Sequence, residues 1–185
     1  MRKNFILVLA ITALSACSNP KQKTISEEEK AALMLLGDSI SVEMQNVLLQ
    51  NVAQAIQKGG TDYAVEFCNI QAMPLTDSIA DNLKVYIQRL SDKNRNPANA
   101  IQTTLDSIAW EKMKAEKTAF IEQDKNREMY YYKPISITMS SCIKCHGGKT
   151  DIFESTQKII TQKYPGDKAT GYQMGDLRGM WKIKL

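Results

Sequence analysis

The stretch EMYYYKPISITMSSCIKCH, residues 128–146, joins two signals that decide how this chain folds. Its first half, up to Thr138, is rich in aromatic and β-branched residues, which predicts one or two β-strands with Pro134 at an edge or a bend. Its second half ends in the pattern Cys-x-x-Cys-His, formed by Cys142, Cys145 and His146. The sequence therefore predicts a sheet that leads directly into a cysteine–histidine motif.

The segments on both sides of this stretch predict an α+β domain with an antiparallel sheet. A capping box at Ser26–Glu29 opens a long amphipathic helix, and Leu36 belongs to its apolar face. A second helix is expected to stop before Pro74. In chain order the predicted elements are a helix from Ser26 to Gly59-Gly60, a helix over 62–72, a strand over 84–90, a helix over 104–122 with Ile108 and Phe120 inward, strands over 128–138, a helix over 152–164 and a strand over 178–185.

The N-terminal residues MRKNFILVLAITALSAC predict an exported lipoprotein. Arg2 and Lys3 precede a short apolar run, and two small residues stand directly before Cys17, as in the lipobox of bacterial lipoproteins. We therefore expect a signal peptide over 1–16, a lipidated flexible tether over 17–26 and one folded domain, which carries the Cys-x-x-Cys-His motif, over 27–185. An ordinary secretory signal with a chance cysteine is the alternative. Either interpretation places the protein outside the cytoplasm, and Ser18, which gives no acidic retention signal, favours an outer membrane.

The charge of the chain gives no indication of a nucleic-acid partner. The formal net charge is +4, and the basic residues are scattered rather than gathered into a stripe with aromatic residues. The expected partners are instead a membrane, through the lipid on Cys17, and a separate redox or signalling protein.

The Cys-x-x-Cys-His motif predicts one covalently attached haem c. Two thiols separated by two residues add across the porphyrin vinyl groups, and His146 then ligates the iron. The motif fits a zinc site less well, because tetrahedral zinc usually has four protein ligands and the chain has one histidine and no second cysteine pair. A redox disulfide needs no histidine and normally opens a helix after a strand, whereas Gly147-Gly148 would start a helix poorly.

The second axial position of the iron needs another group, because His146 is the only histidine. Methionine, cysteine, lysine, water or an added ligand all remain open. Cys68 is one candidate, since it shares a predicted helix face with Val65 and Ala72. The methionine candidates are Met34, Met44, Met73, Met113, Met129, Met139, Met174 and Met180.

Four motifs in the order AVEFCNIQAMP, NRNPAN, SSCIKCHGG and YPGDKATGYQMGDLRG carry a resemblance to a known family. The chain resembles, over residues 30–185, a family of haem-binding domains long catalogued as a domain of unknown function. The resemblance implies a single-haem cytochrome c on a PAS-like fold, with an antiparallel sheet, a long N-terminal helix and flanking helices.

The resemblance also implies a set of site residues. The distal ligand in better-understood members is a cysteine from the helix before the sheet, a position that matches Cys68. The chain departs from the family pattern at Met73, where a small residue is expected, so Met73 is the fallback ligand. Arg95 and Arg178 are candidates for the haem propionates, because guanidinium groups bind carboxylates through two hydrogen bonds.

Three functions follow from these observations. Low-potential electron transfer is favoured, because two protein ligands leave no open iron site and a thiolate stabilises ferric iron. The alternative is a haem-based redox or gas sensor that acts through a separate partner once the Cys68 bond yields. Catalysis ranks last, because no second histidine is available for acid–base work, and we therefore do not expect an enzyme.

Overall fold

The computed structural model describes residues 25–185. The predicted signal peptide, Cys17 and most of the predicted tether lie outside these residues. The described elements in chain order are α1 (Glu27–Leu83), β1 (Tyr86–Leu90), a short 3-10 helix (Pro97–Asn99), α2 (Thr104–Glu116), β2 (Phe120–Gln123), β3 (Met129–Ser136), α3 (Ser140–His146), α4 (Glu154–Lys163) and β4 (Leu177–Lys184).

Helix α1 begins and breaks where the sequence predicts. The Ser26 side chain accepts a hydrogen bond from the Glu29 backbone N–H at 3.1 Å, which caps the helix. The helical geometry is interrupted at Gly59 and Gly60, where Gly60 has φ +71° and ψ −169°. Only glycine adopts this conformation readily. The break divides α1 into an N-terminal arm, residues 27–58, and a C-terminal arm, residues 61–83.

The C-terminal arm is longer than predicted, because it continues through Pro74 to Leu83. Proline removes one backbone hydrogen bond and normally ends a helix. Here the residues beyond it are held by packing: Thr76 is buried, and Leu75 and Ile79 lie against the main core cluster. The expected stop at Pro74 was therefore wrong, because tertiary packing outweighs the local preference.

The sheet has four strands in the order β1-β4-β3-β2, and every neighbouring pair is antiparallel. Strand β4 is the last in the chain but lies in the interior, between β1 and β3. Pro134 faces Met180 of β4 and lies beyond the segment of β3 that β2 covers. Proline is tolerated there because no N–H is needed on the uncovered side.

Helices cover both faces of the sheet. On one face, Ile40, Met44 and Leu48 of α1 pack against Trp181 and Ile183. On the other face, Ala109, Trp110 and Met113 of α2 pack against Tyr132 and Met180. This arrangement is an α+β, PAS-like fold with a long N-terminal helix and flanking helices, which confirms the predicted fold class.

Two details of the sequence-based assignment were wrong. The helix predicted over 104–122 ends at Glu116, and Phe120 lies in β2 instead. Its C-cap, Lys117, has φ +52°, and this reversal lets the chain turn back along the sheet. Ile108 and Leu36, both expected to point inward, are 59% and 49% exposed.

None of the helices described over residues 25–185 is long and apolar enough to cross a membrane.

Candidate functional site

The Cys-x-x-Cys-His motif lies on α3, a seven-residue helix that follows β3. Cys142 and Cys145 are three residues apart, so their side chains project from the same side of this helix. Gly147 ends the helix rather than starting one. No helix starts at Gly147-Gly148, as the sequence predicted, and the motif lies at the end of α3.

The His146 ring is oriented by a backbone carbonyl. Its Nδ1 lies 2.8 Å from the carbonyl oxygen of Ala169, and because a carbonyl can only accept, Nδ1 carries the proton. Burial, with the positive charges of Arg95 and Arg178 as further causes, lowers the pKa of His146 well below its ordinary value. A neutral ring protonated at Nδ1 keeps a free lone pair on Nε2, which is the form that binds metals.

The loop over residues 164–176 closes over α3 through its backbone. The Gly171 N–H donates to the Gly147 carbonyl at 2.8 Å, and the Tyr172 N–H donates to the His146 carbonyl at 3.0 Å. The Tyr172 ring stands edge-on to the His146 ring, with centroids 6.4 Å apart. Gly171 has φ +79°, a conformation that favours glycine. The motif is thus clamped on one side by a loop that follows it in the chain.

Arg95 connects this loop to α3. Its Nε and Nη2 donate to the two carboxylate oxygens of Asp167 at 3.0 and 3.2 Å, and Nη2 also donates to the Cys145 carbonyl at 2.7 Å. Both side chains are nearly buried, with 11% of Arg95 and 9% of Asp167 exposed. We call Arg95, Cys145, His146, Asp167 and Ala169 the proximal cluster. The sequence suggested Arg95 as a contact for a haem propionate; the structure places it at the motif, with its Nε and Nη2 paired to protein groups.

The two motif cysteines enter different apolar surroundings. Cys142 packs against the cluster of Ile137, Ala169 and Tyr172. Cys145 packs against the cluster that contains Val65 of the C-terminal arm. Burial raises the pKa of Cys145 to about 11, so its sulfur is a neutral thiol at ordinary pH.

Cys68 lies on the C-terminal arm one turn beyond Val65, on the face that packs toward α3. Burial raises the pKa of its thiol, while the charges of Arg89 and Arg95 act in the opposite direction. Cys68 also raises the pKa of Cys145, so the two sulfurs lie within Coulombic range. The structure thus brings Cys68, Cys145 and the arginines together in one region.

The methionines offer fewer candidates than the sequence allowed. Met44, Met113 and Met180 are completely buried in the two core clusters on the faces of the sheet. Met73 is five residues beyond Cys68, which rotates it by about 140° around the helix axis. Cys68 and Met73 therefore project from different sides of the C-terminal arm.

Arg178 and Arg89 complete the basic side of the site. Arg178 donates through Nη1 to the Ser91 hydroxyl and the Lys93 carbonyl, each at 3.1 Å, and lies over the Tyr172 ring. Arg89, on β1, was not predicted as a site residue. The only sequence signal was an arginine in a segment that alternates as a strand, and alternation does not indicate which charged residue turns toward a site.

A cavity of about 180 Å³ lies between Asn69 of the C-terminal arm and the two loops that carry Arg95 and Tyr164, and Cys68 does not line it. This volume is below the roughly 300–1,000 Å³ of typical small-molecule sites. No group of three or more histidine, cysteine, aspartate or glutamate side chains among residues 25–185 is arranged to hold a metal ion. A haem iron requires only two protein ligands, since the porphyrin supplies the other four.

Comparisons with known proteins give the following matches. A family model described as Tll0287-like matches residues 19–185. Among solved structures, the crystal structure of the cyanobacterial heme protein Tll0287 is similar, with a TM-score of 0.58 and 28% sequence identity over 87% of this chain and 96% of that chain. No curated protein matches.

Proposed function

The chain belongs to the Tll0287-like family, and on that ground we propose that it binds one haem covalently and acts as an extracytoplasmic c-type cytochrome in electron transfer. The solved relative is a heme protein, which supports haem as the cofactor. Bound haem would supply a one-electron iron centre. The chain's own residues then have to attach it, set the iron ligands and exclude competing reactions.

The observation that carries the proposal is the geometry of His146. The Ala169 carbonyl fixes the proton on Nδ1, so Nε2 offers its lone pair in a fixed direction, as second-shell contacts do at metal sites. The pKa of His146 is lowered by burial and by nearby arginines, so the ring needs no deprotonation before it binds iron. A histidine used only for packing would not require this orientation.

The thiols of Cys142 and Cys145 fit covalent attachment. They project from one side of α3 at a spacing of three residues, so both can bond to one planar group. Each thioether forms when an S–H bond adds across a vinyl double bond, which requires no net oxidation. The two sulfurs are half-buried, and so remain reachable from outside.

Cys68 is the proposed distal ligand, with Met73 as the fallback. Cys68 shares the α3-facing side of the C-terminal arm with Val65, which contacts the Cys145 cluster, whereas Met73 projects elsewhere. A thiolate in this partly apolar position is costly unless a metal compensates it, because burial raises the pKa of the thiol. Two protein ligands would close the iron to substrates, so we propose a carrier rather than an enzyme.

One observation favours sensing as a second candidate. The raised pKa of Cys68 means that a sulfur released from iron would be protonated and would not return readily. Reduction of a bound haem would weaken its bond to the Cys68 thiolate, and an added ligand such as carbon monoxide could then take that position. A carrier should stay six-coordinate and ignore carbon monoxide when reduced, whereas a sensor should bind it.

Location outside the cytoplasm with a lipid anchor at Cys17 is part of the proposal, and an outer membrane is favoured. It is supported by the sequence of residues 1–17. Cys17→Ser should move the protein from the membrane fraction to the soluble fraction. Sedimentation of the substituted protein with membranes after a salt wash would place the anchor elsewhere.

The deciding experiment is intact mass and haem staining after denaturing electrophoresis, on protein made in a host that matures c-type cytochromes. We expect the apoprotein mass plus one haem, and loss of the stain when Cys142 and Cys145 are both replaced by alanine. An apoprotein mass with two alkylatable thiols at Cys142 and Cys145 would instead support a redox dithiol. Visible and near-infrared spectra of both oxidation states then identify the axial ligands.

A further inference from the structure

Three arginines from separate elements act on the same histidine. Arg89 on β1, Arg95 in the loop that follows, and Arg178 on β4 each lower the pKa of His146. Arg95 donates to the Cys145 carbonyl, directly before this histidine, and Arg178 lies over the Tyr172 ring, which stands edge-on to the His146 ring. Three positive charges around one half-buried imidazole leave the region with unbalanced charge unless anions accompany them.

Arg95 is balanced by a carboxylate and the other two arginines are not. Asp167 pairs with Arg95 in a two-point contact. Among the described residues, no carboxylate lies within ion-pair distance of Arg89 or Arg178. The acceptors for Arg178 are a neutral hydroxyl and a carbonyl, and Arg89 lies over the Trp181 ring at 6.0 Å.

Both uncompensated arginines carry a buried nitrogen without a partner. The Nε atoms of Arg89 and Arg178 are shielded from solvent and make no hydrogen bond. Burial is the largest cause of the lowered pKa of each residue. A buried charge without a partner is among the costly features of a protein interior. An anion that accepted a hydrogen bond from each of these two Nε atoms would remove this cost.

We propose that Arg89 and Arg178 bind the two haem carboxylates, and that Arg95 instead holds α3 to the loop over 164–176. The inference rests on the haem binding proposed above and assigns this chain's own residues to the two ends of the cofactor. A haem brings two carboxylates, and a guanidinium matches a carboxylate with two parallel N–H donors. The assignment adds Arg89, which the sequence did not suggest, and separates the roles of Arg95 and Arg178.

The assignment has a chemical consequence for reduction. A carboxylate paired with a buried guanidinium stays ionised when the iron gains an electron. Without that guanidinium, one electron supplied to a bound haem by an external reductant would be accompanied by one solvent proton, which would bind the carboxylate. Other ionisable groups near Arg89 are Cys68 of α1, Arg178 of β4 and Tyr164 after α4, and those near Arg178 are Tyr172, Arg95 and Asp167.

The test compares the holoprotein with Arg89→Gln, Arg89→Lys and the control Lys114→Gln, which removes one charge from an exposed position on α2. The haem carboxylates are labelled with ¹³C, and infrared difference spectra between reduced and oxidised protein are recorded across the neutral pH range. The label separates the haem carboxylates from Cys68 and from protein carboxylates. The midpoint potential is measured over the same range.

We expect labelled bands of ionised carboxylate only in the parent and in Lys114→Gln. Arg89→Gln should show a labelled band of protonated acid. Its midpoint potential should fall by up to 59 mV for each unit of rising pH, which corresponds to a tenfold change in the reduction equilibrium constant. Arg89→Lys should lie between, since it keeps the charge but loses the two-point contact.

Arg89→Gln could carry covalent haem and still show the labelled bands and the pH-dependent midpoint potential of the parent. That result would overturn the assignment and leave the proposed function intact. If the parent itself carries no haem, the proposed function fails first. If Arg89→Gln does not fold, Arg89→Lys decides: bands identical to the parent's in that variant, at every pH, also overturn the assignment.

Discussion

The two sides of the candidate site are built differently. On the side of His146, the proximal cluster is joined by short contacts between nearly buried groups, such as the 2.7 Å bond from Arg95 to the Cys145 carbonyl. On the side of Cys68, the polar contacts of the C-terminal arm near the thiol are long and exposed: Asn69 to Lys163 at 3.4 Å and Glu66 to Lys163 at 3.7 Å. The protein alone therefore fixes the proximal geometry, whereas the distal side has room to adjust.

The small cavity at Asn69 lies on the side of the site formed by the C-terminal arm. At about 180 Å³ it is too small for a large planar ligand, so one side of the site has to move for such a ligand to enter. The proximal cluster cannot move without breaking the nearly buried ion pair of Arg95 with Asp167 and the hydrogen bonds around it. We expect the part of the C-terminal arm between the break at Gly59-Gly60 and Pro74 to shift instead, while the residues beyond Pro74 stay packed on the core.

The largest effect should come from breaking the proximal cluster. Arg95→Leu leaves the nearly buried Asp167 carboxylate unpaired, which should cost about 3–5 kcal/mol in the free energy of unfolding. Urea unfolding of the holoprotein measures it. Lys158→Leu, which removes one partner of an exposed pair with Glu154, should change the same free energy by about 0.5 kcal/mol or less. Equal losses in the two variants would show that the proximal cluster is no firmer than the surface.

A smaller effect should come from stiffening the break in α1. Gly60→Ala places a side chain at φ +71°, which should cost about 1–3 kcal/mol and slow the entry of haem. Ser78→Ala, at an exposed position on the C-terminal arm, is the control. Unfolding by urea and the yield of covalent haem are the measurements. Identical haem yields in the two variants would argue against movement at this break.

Cys68→Ala should barely change stability and strongly change the spectrum. The substitution deletes one small half-buried atom, so we expect the unfolding free energy of the reduced protein to change by about 1 kcal/mol or less. The ferric spectrum and the midpoint potential should both shift, with the potential rising, since a thiolate stabilises ferric iron. If Cys68→Ala retained the ferric spectrum of the parent, Cys68 would not be the distal ligand, and Met73 would be the next candidate.

The smallest effect lies far from the site, where the N-terminal arm contacts the sheet. The hydrogen bond from Lys133 lowers the pKa of Asp38, which is 55% exposed. A depressed folded pKa stabilises the protein above the unfolded pKa, and this stabilisation is lost as the pH falls through the folded value. Lys133→Gln should thus cost about 0.5 kcal/mol at neutral pH and nothing in acid. A cost independent of pH would contradict this.

The sequence predicted those features that depend on local pattern. The capping serine, the break at Gly59-Gly60, the aromatic strand and the cysteine motif all depend on residues close together in the chain. It failed where distant contacts decide. Helix α1 passes through Pro74 because Leu75 and Ile79 pack on the core, and Phe120 lies in a strand because β3 pairs with it.

The same limit applies within the site. His146 is oriented by the carbonyl of Ala169, a group that every residue possesses, so no residue type could indicate it. The pairing of Arg95 with Asp167 joins positions far apart in the chain. Arg89 could have been predicted as a site residue only by identifying the charged strand residue that lacks an acidic partner. That residue can be identified only once the fold is known.

The position of the closing loop also bears on the order of events as the protein is made. Residues 164–176 follow α3 in the chain, and β4, which comes next, takes an interior place between β1 and β3. A chain that emerges from its N-terminus therefore presents Cys142 and Cys145 before the loop and β4 exist to cover them. An enzyme that attached a cofactor to these thiols would have access to both of them during this interval, before insertion of the last strand completes the sheet.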